Sequence, residues 1–331
     1  MADITVLGSG GWGIALALTL YKNGNNVILY TKFKEEADEL NKFRESKLLK
    51  GIVIPKEIKI TTDTSSFNSA DICVMAVPSF AVEDIAKLLK EKENGIVVNV
   101  AKGFEPKTQK RLSEILKQYI KVPVAVLSGP SHAEEVARNV PTSLVVACEK
   151  QSVCHTVTET FSNENLRIYA NDDICGVELG GALKNIIAVA GGFIDGLGLG
   201  DNTRAALITR GLTEIARLGV KMGAKQETFS GLSGLGDLIV TCTSVHSRNH
   251  RFGEKVANGL SVAEALKEVG TVEGYHAAKI VIKIKERYNV EMPICEQCFN
   301  VMYKNENVKD AIKSLMKRPQ KDEHEISWIK E

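Results

Sequence analysis

Along the first half of the chain the spacing of apolar positions switches repeatedly between a strand period and a helix period. Residues 4–7 are short, apolar and partly β-branched, and 14–22 form a helical run that stops at Asn23 and Gly24. Residues 27–30 predict a second strand, 34–49 a charged helix, and 58–61 a weak third strand. Residues 72–77 and 96–100 are near-continuous apolar runs, which suit strands buried on both faces as in a parallel sheet. Further strands are predicted at 124–127, 144–147 and 166–169. The whole pattern predicts an α/β unit built on a mostly parallel sheet.

The pattern changes near Asn171, Asp172 and Asp173. Beyond them strand signal almost vanishes, and helices are predicted at 174–190, 203–222, 249–257, 262–267, 274–288 and 293–304. The expected organisation is an α/β domain over 1–172 followed by an all-α domain over 173–331. A length of 331 residues agrees with two domains. The tail after Pro319 is polar, with Trp328 as the one group that would dock it.

Composition narrows the function classes. Lys plus Arg number 42 against 41 Asp plus Glu, so the basic excess usual in a nucleic-acid protein is absent. No apolar run approaches the roughly 18 residues of a membrane span, the longest being 186–194. Met1 to Ile4 carry no basic region ahead of an apolar core, so signal-peptide export is not expected. Seven cysteines, an odd and scattered set, argue against a disulfide scaffold and for a reducing, cytoplasmic setting.

Gly8-Ser9-Gly10-Gly11-Trp12-Gly13 fits G-x-G-x-x-G after a strand and at the start of a helix, the context that motif needs. Gly8 permits the tight turn, Gly10 lets backbone approach a pyrophosphate, and Gly13 lets helix and strand pack closely. The helix start supplies free N–H groups for phosphate. This points to a Rossmann-like domain holding a dinucleotide. The acidic residue expected about 20 positions on, for a ribose hydroxyl, is missing. Lys32 and Lys34 stand there instead, which leans toward the 2′-phosphate of NADP(H), with NAD(H) also allowed. The alternative is a solvated basic pair.

Four further blocks stand in order: Val100-Ala101-Lys102-Gly103-Phe104-Glu105; Leu127-Ser128-Gly129-Pro130-Ser131-His132-Ala133-Glu134-Glu135; Glu178-Leu179-Gly180-Gly181-Ala182-Leu183-Lys184-Asn185; and Gly231-Leu232-Ser233-Gly234-Leu235-Gly236-Asp237-Leu238, running on to Ser247-Arg248-Asn249. With the glycine turn they make nearly the whole chain resemble the bacterial NAD(P)-dependent glycerol-3-phosphate dehydrogenases. The resemblance implies a Rossmann-like domain followed by a helical one. It also implies interconversion of dihydroxyacetone phosphate and sn-glycerol 3-phosphate, the latter for phospholipid synthesis. Two departures stand out. Gly11 occupies a position where the family commonly has serine, so a hydroxyl contact to cofactor phosphate is lost while the backbone N–H stays. Ala101 stands where serine is more usual.

Reducing a ketone builds negative charge on its oxygen, so the site needs a proton donor that serves as base in reverse. Lys184 lies in an apolar helical stretch, where a lysine is costly unless exposed or functional. From the residues alone a snorkelling surface lysine is equally open; the resemblance implies the general acid/base. It further implies that Asn185 helps hold substrate or nicotinamide, and that Lys102 lies at the junction of substrate and cofactor. The charge of Lys102 would lower the pKa of Lys184 if the two are close. Asp237 can accept from a lysine or a substrate hydroxyl, or act as a helix N-cap, with Thr241 on the same helix face. Ser247, Arg248 and Asn249 suit a phosphate, or an ordinary N-cap beside an exposed arginine. By resemblance Gly129 and Ser131 contact substrate, while Gly11, Trp12, Ala133, Arg248 and Glu273 contact the cofactor. His132 reads as structural.

Cys295 and Cys298 form a C-x-x-C without a second ligand pair and read as packing on one helix face, and no metal is expected. The basic run 313–321 reads as a solvated helix end. Two rival functions remain in view, a β-hydroxyacid dehydrogenase of the 6-phosphogluconate type and a non-catalytic NAD(P) sensor. Closure between the domains is expected to exclude water from the reaction, and a homodimer is a common assembly among soluble enzymes in general.

Overall fold

Strands buried on both faces must be covered by helices on both sides, and the computed structural model, which describes residues 1–90, 92–320 and 323, shows that arrangement. The strands are β1 (Asp3–Leu7), β2 (Asn26–Tyr30), β3 (Lys59–Thr61), β4 (Ile72–Met75), β5 (Ile96–Asn99), β6 (Val124–Ser128), β7 (Thr142–Ala147) and β8 (Leu166–Asn171). They form one sheet in the order β3-β2-β1-β4-β5-β6-β7-β8. Every neighbouring pair is parallel except β6 with β7. The order reverses at β1, between β2 and β4, and such a switch point opens a crevice beyond the strand ends where ligands bind.

The covering helices are α1 (Gly11–Lys22), α2 (Lys34–Phe43), α3 (Val82–Leu88), α4 (Leu112–Tyr119), α5 (Ala133–Ala137) and α6 (Gln151–Phe161). The predicted helix over 34–49 stops early. Arg44 turns left-handed at φ 53°, and its guanidinium donates to the carbonyls of Pro55 and Ile58. Those tertiary bonds, with Leu49 buried beneath them, override a helical pattern that local sequence would extend.

From Ile174 onward the described chain is helical: α7 (Ile174–Gly196), α8 (Gly200–Lys221), α9 (Asp237–Thr243), α10 (Arg248–Ala257), α11 (Val262–Val269), α12 (Glu273–Tyr288), α13 (Pro293–Lys304) and α14 (Val308–Met316). Of the last of these only a basic helix end from 313 was expected; its start was not, although Asn307 caps it by accepting from the Lys309 N–H. Trp328 and Lys321 lie outside the described residues. Lys313, in the last turn of α14, is exposed and lies 3.5 Å from Asp310.

The helical domain is threaded on α7. Its length and composition alone would let it cross a membrane, but its most apolar stretch is wholly buried inside the fold. Small residues make that burial possible. A Cβ on Gly192 would lie 2.0 Å from the His250 carbonyl oxygen, and one on Gly253 would lie 2.1 Å from that of Val189, so α7 and α10 cross backbone to backbone. Gly253→Ala is therefore expected to cost about 1–3 kcal/mol through overpacking, seen as a lower melting temperature.

Two buried carboxylates brace this architecture. Glu178 on α7 accepts from the Ser113 N–H and hydroxyl and from Arg111, tying α4 to α7. Glu214 on α8 accepts from the Ile294 and Cys295 N–H groups at the start of α13. Burial pushes its pKa up to about 7 despite those bonds. Cys295 and Cys298 are buried with thiol pKa values raised by desolvation, which removes thiolate character and leaves them as packing groups.

Candidate active site

The glycine turn is a preformed cradle. Gly8 sits at φ +121°, and a Cβ there would lie 2.5 Å from the Ala76 carbonyl oxygen. A Cβ on Gly13 would lie 2.0 Å from the carbonyl oxygen of Gly8. At Gly10 the space is open, as backbone approach by a ligand requires. The α1 start carries no side-chain cap and no acidic residue in its first turn, so its N–H groups face that opening unopposed. The cradle thus fits a dinucleotide pyrophosphate. A Cβ on Gly11 would meet only ordinary contacts, the nearest being the Ala133 side chain at 3.5 Å, which places Ala133 beside the turn.

At the end of β2, Lys32 and Lys34 are both exposed. Sequence reasoning noted no carboxylate there, yet Glu36 reaches back from the first turn of α2 to accept from the Thr31 hydroxyl at 2.6 Å. Two exposed phenylalanines, Phe33 and Phe80, follow β2 and β4 at the same edge of the sheet and went unremarked. Their signal was an aromatic side chain in the short segment that follows a strand. A cavity of about 370 Å³ continues past Phe80, Ser79 and Gly103 to Asn185 and Glu273.

The charged centre brings together residues far apart in sequence. Lys184 lies midway along α7 with its side chain only 8% exposed, which removes the snorkelling alternative. Its ammonium donates to Asp237 and, at 2.6 Å, to the Thr241 hydroxyl. Thr241 in turn donates to the Asp237 carbonyl, one helical turn back. The other carboxylate oxygen of Asp237 accepts from Lys102 at 2.7 Å, and Lys102 also donates to the Gly129 carbonyl. The Ser131 hydroxyl donates to that same carbonyl. Asp237 is not an N-cap: Gly236 holds that position, and the 1% exposed carboxylate is engaged by two lysines.

Electrostatics follow from this geometry. Burial pushes the Lys184 ammonium down to about 7; Asp237 opposes that shift, and the nearby charge of Lys102 adds to it. A lysine so placed holds both protonation states near neutral pH, which suits proton transfer in either direction. Burial raises the Glu273 carboxyl, and Arg248 beside it works the other way.

The 247–249 cluster divides its work. Ser247 caps α10 by accepting from the His250 N–H, and Arg248 is exposed at the first helical position. Asn249 is buried and already tied to neighbouring helices. Its amide donates to Asn185 and accepts from the Gly274 N–H, locking α7, α10 and α12 together. That bond orients Asn185, which lines the cavity. Among the described residues no group of three or more potential metal ligands is present.

Known proteins share this organisation. The family described as the NAD-dependent glycerol-3-phosphate dehydrogenase N-terminus matches residues 3–154, and its C-terminus counterpart matches 173–313. A glycerol-3-phosphate dehydrogenase [NAD(P)+] of Fusobacterium nucleatum is 48% identical over 99% of this chain and 100% of its own length. One from Thermoanaerobacter is also 48% identical, over 98% of this chain and 99% of its own. The crystal structure of glycerol-3-phosphate dehydrogenase from Coxiella burnetii superposes with a TM-score of 0.91 at 37% identity, covering 96% of this chain and 99% of that one. The chain belongs to the NAD-dependent glycerol-3-phosphate dehydrogenase family.

Proposed function

We propose that this chain reduces dihydroxyacetone phosphate to sn-glycerol 3-phosphate with NADPH or NADH, reversibly, for glycerophospholipid synthesis. The reading rests above all on the single buried carboxylate of Asp237 held between Lys184 and Lys102 near the strand-end crevice. The backbone of Gly8, Gly10, Gly11, Trp12 and Gly13 would hold the pyrophosphate, with Lys32 toward the ribose and Lys102, Ala133, Arg248 and Glu273 along the rest. Bound nicotinamide supplies hydride to the carbonyl carbon or takes it back.

The chain's own residues do the remainder. Lys184 gives its proton to the ketone oxygen as charge builds there, and takes one from the hydroxyl in reverse. Asp237 and Thr241 hold the Lys184 nitrogen in place, and Lys102 adds positive potential toward the developing oxyanion. Arg248 and the first N–H groups of α10 grip the substrate phosphate beside Ser247. Gly129, Ser131 and Asn185 line the remaining edge, with Asn249 acting as a positioning residue for Asn185. Closure of the helical domain over the sheet edge would exclude water from the reaction. The expected setting is a reducing cytoplasm, in keeping with seven free cysteines. The expected assembly is a homodimer, read by mass in solution.

Loss of reduced-cofactor absorbance with dihydroxyacetone phosphate, but not with 6-phosphogluconate or 3-hydroxyisobutyrate, is the expected result. Binding of both cofactors without turnover of dihydroxyacetone phosphate would refute the reading in favour of a sensor. Run with each cofactor separately, the assay also reads Lys32. If it meets the 2′-phosphate, Lys32→Ala raises the KM for NADPH about tenfold, the worth of one charge-assisted contact, and leaves NADH within about twofold.

A further inference from the structure

Two buried polar atoms beside this centre, Ser128 Oγ and His132 Nε2, have no hydrogen-bond partner among the described residues, and the imidazole is the larger of the two groups left without work by the mechanism above. His132 follows Ser131 and immediately precedes α5, and its backbone carbonyl accepts from the Glu135 and Val136 N–H groups. Its side chain caps nothing. Among the described residues its Nε2 is buried with no hydrogen-bond partner. A buried polar nitrogen left unpaired is destabilising, and native structures keep few of them without a functional reason.

Its surroundings locate it at the join between the two halves of the substrate site. On one side lie the Gly129–Ser131 turn, which receives Lys102, and the ammonium of Lys184, close enough to act on the imidazole electrostatically. On the other lies His246, whose ring centroid is 5.8 Å away in the loop joining α9, which carries Asp237, to α10, which carries Arg248. His132 therefore sits between the residues assigned to the reacting carbon and those assigned to the phosphate.

Resting on the function proposed above, we infer that His132 is a further specificity-determining residue, whose Nε2 hydrogen-bonds the free terminal hydroxyl of the three-carbon substrate. Two arguments select the hydroxyl over the phosphate. Burial and then the Lys184 ammonium hold the imidazole toward its neutral form, against the opposing pull of Glu135 and Glu134, with His246 adding the smallest push. A neutral imidazole pairs well with a neutral hydroxyl, as donor or acceptor according to tautomer. A phosphate dianion calls for a cation, and Arg248 with the α10 start already provides one. A site whose buried polar group is satisfied only by a substrate hydroxyl also rejects the analogue lacking it, because binding that analogue leaves the group unpaired.

The test compares kcat/KM for dihydroxyacetone phosphate and for its deoxy analogue, hydroxyacetone phosphate, in wild type, His132→Phe and His132→Gln. NADPH binding by fluorescence and thermal melting report on the fold. Wild type is expected to favour the hydroxylated substrate by about 10- to 100-fold. His132→Phe should lose that preference by failing on dihydroxyacetone phosphate alone, with the analogue and NADPH affinity changed less than about threefold. His132→Gln, which keeps a polar tip, should retain part of the preference even if the Phe variant folds poorly. Equal losses on both substrates, or none, would overturn the inference and leave a packing role. Absence of turnover by wild type on either substrate would instead overturn the proposed function, and this inference with it.

Discussion

Lys184→Met is expected to lower kcat for dihydroxyacetone phosphate by about 10³-fold or more, the upper part of the range for a lost general acid. Methionine keeps an apolar stem in a site where the lysine side chain is almost wholly buried, so the helix face stays filled. Asp237 still has Lys102 as a partner, so no buried carboxylate is stranded. NADPH affinity should therefore change little, and a loss of activity accompanied by lost cofactor binding would point to misfolding instead. The same variant carries a stability signature whose sign is fixed by linkage. The Lys184 pKa falls from 10.5 to about 7 on folding. The unfolded chain thus binds more protons than the folded one across that window, and wild-type stability tied to this group rises with pH through it. The slope is at most about 1.4 kcal/mol per pH unit. The variant lacks the group and its slope, so wild type should gain on it from pH 7 upward, as read by melting at a series of pH values.

Asp237→Asn should have the second-largest effect, and a different one. It leaves the ammonium groups of Lys184 and Lys102 facing one another without their shared counter-charge. Breaking a buried pair in this way costs about 3–5 kcal/mol when the remaining charge cannot relax. Here relaxation is available, because Lys184 already titrates near neutrality and loses a proton more readily once Asp237 no longer holds it up. The expected outcome is a marked loss of reduction at pH 7–8, partly recovered at lower pH, together with a lower melting temperature that falls further on acidification. Uniform loss at every pH would show that Asp237 matters for substrate contact rather than for the protonation of Lys184.

These two residues also show how far the sequence could be read. Lys184 and Asp237 are 53 positions apart, and the sequence offered Asp237 only an unspecified lysine or a substrate hydroxyl, since no local pattern links α7 to the start of α9. The glycine turn was more fully legible, because Gly8 and Gly13 answer to steric demands within one β-turn-α unit. The parallel strands were legible for a similar reason, as burial on both faces leaves a continuous apolar run. What escaped was tertiary. The helix expected over 34–49 ends where Arg44 finds the carbonyls of Pro55 and Ile58. The bonds of Asn249 to Asn185 and Gly274, contacts 64 and 25 residues distant, are announced by no local pattern. The two buried glutamates, Glu178 and Glu214, look in sequence like any helical surface acid. Only packing shows that they brace α4 and α13.

Lys184, with its pKa brought down to about 7, is the one group assigned as acid in reduction and base in oxidation. The most direct test is the pH dependence of kcat/KM in both directions, for wild type and Lys184→Met. Any enzyme catalysing this reaction must show a ratio of the two that follows proton concentration, so the ratio alone decides nothing. The position of the break decides. Wild-type reduction should be level below about pH 7 and fall above it, while oxidation should fall below the same pH and level off above it. The variant's residual activity should lack that break in both directions. A break that persists unchanged in the variant, or that lies at different pH values in the two directions of wild type, would contradict the assignment of Lys184 as the proton-transferring group.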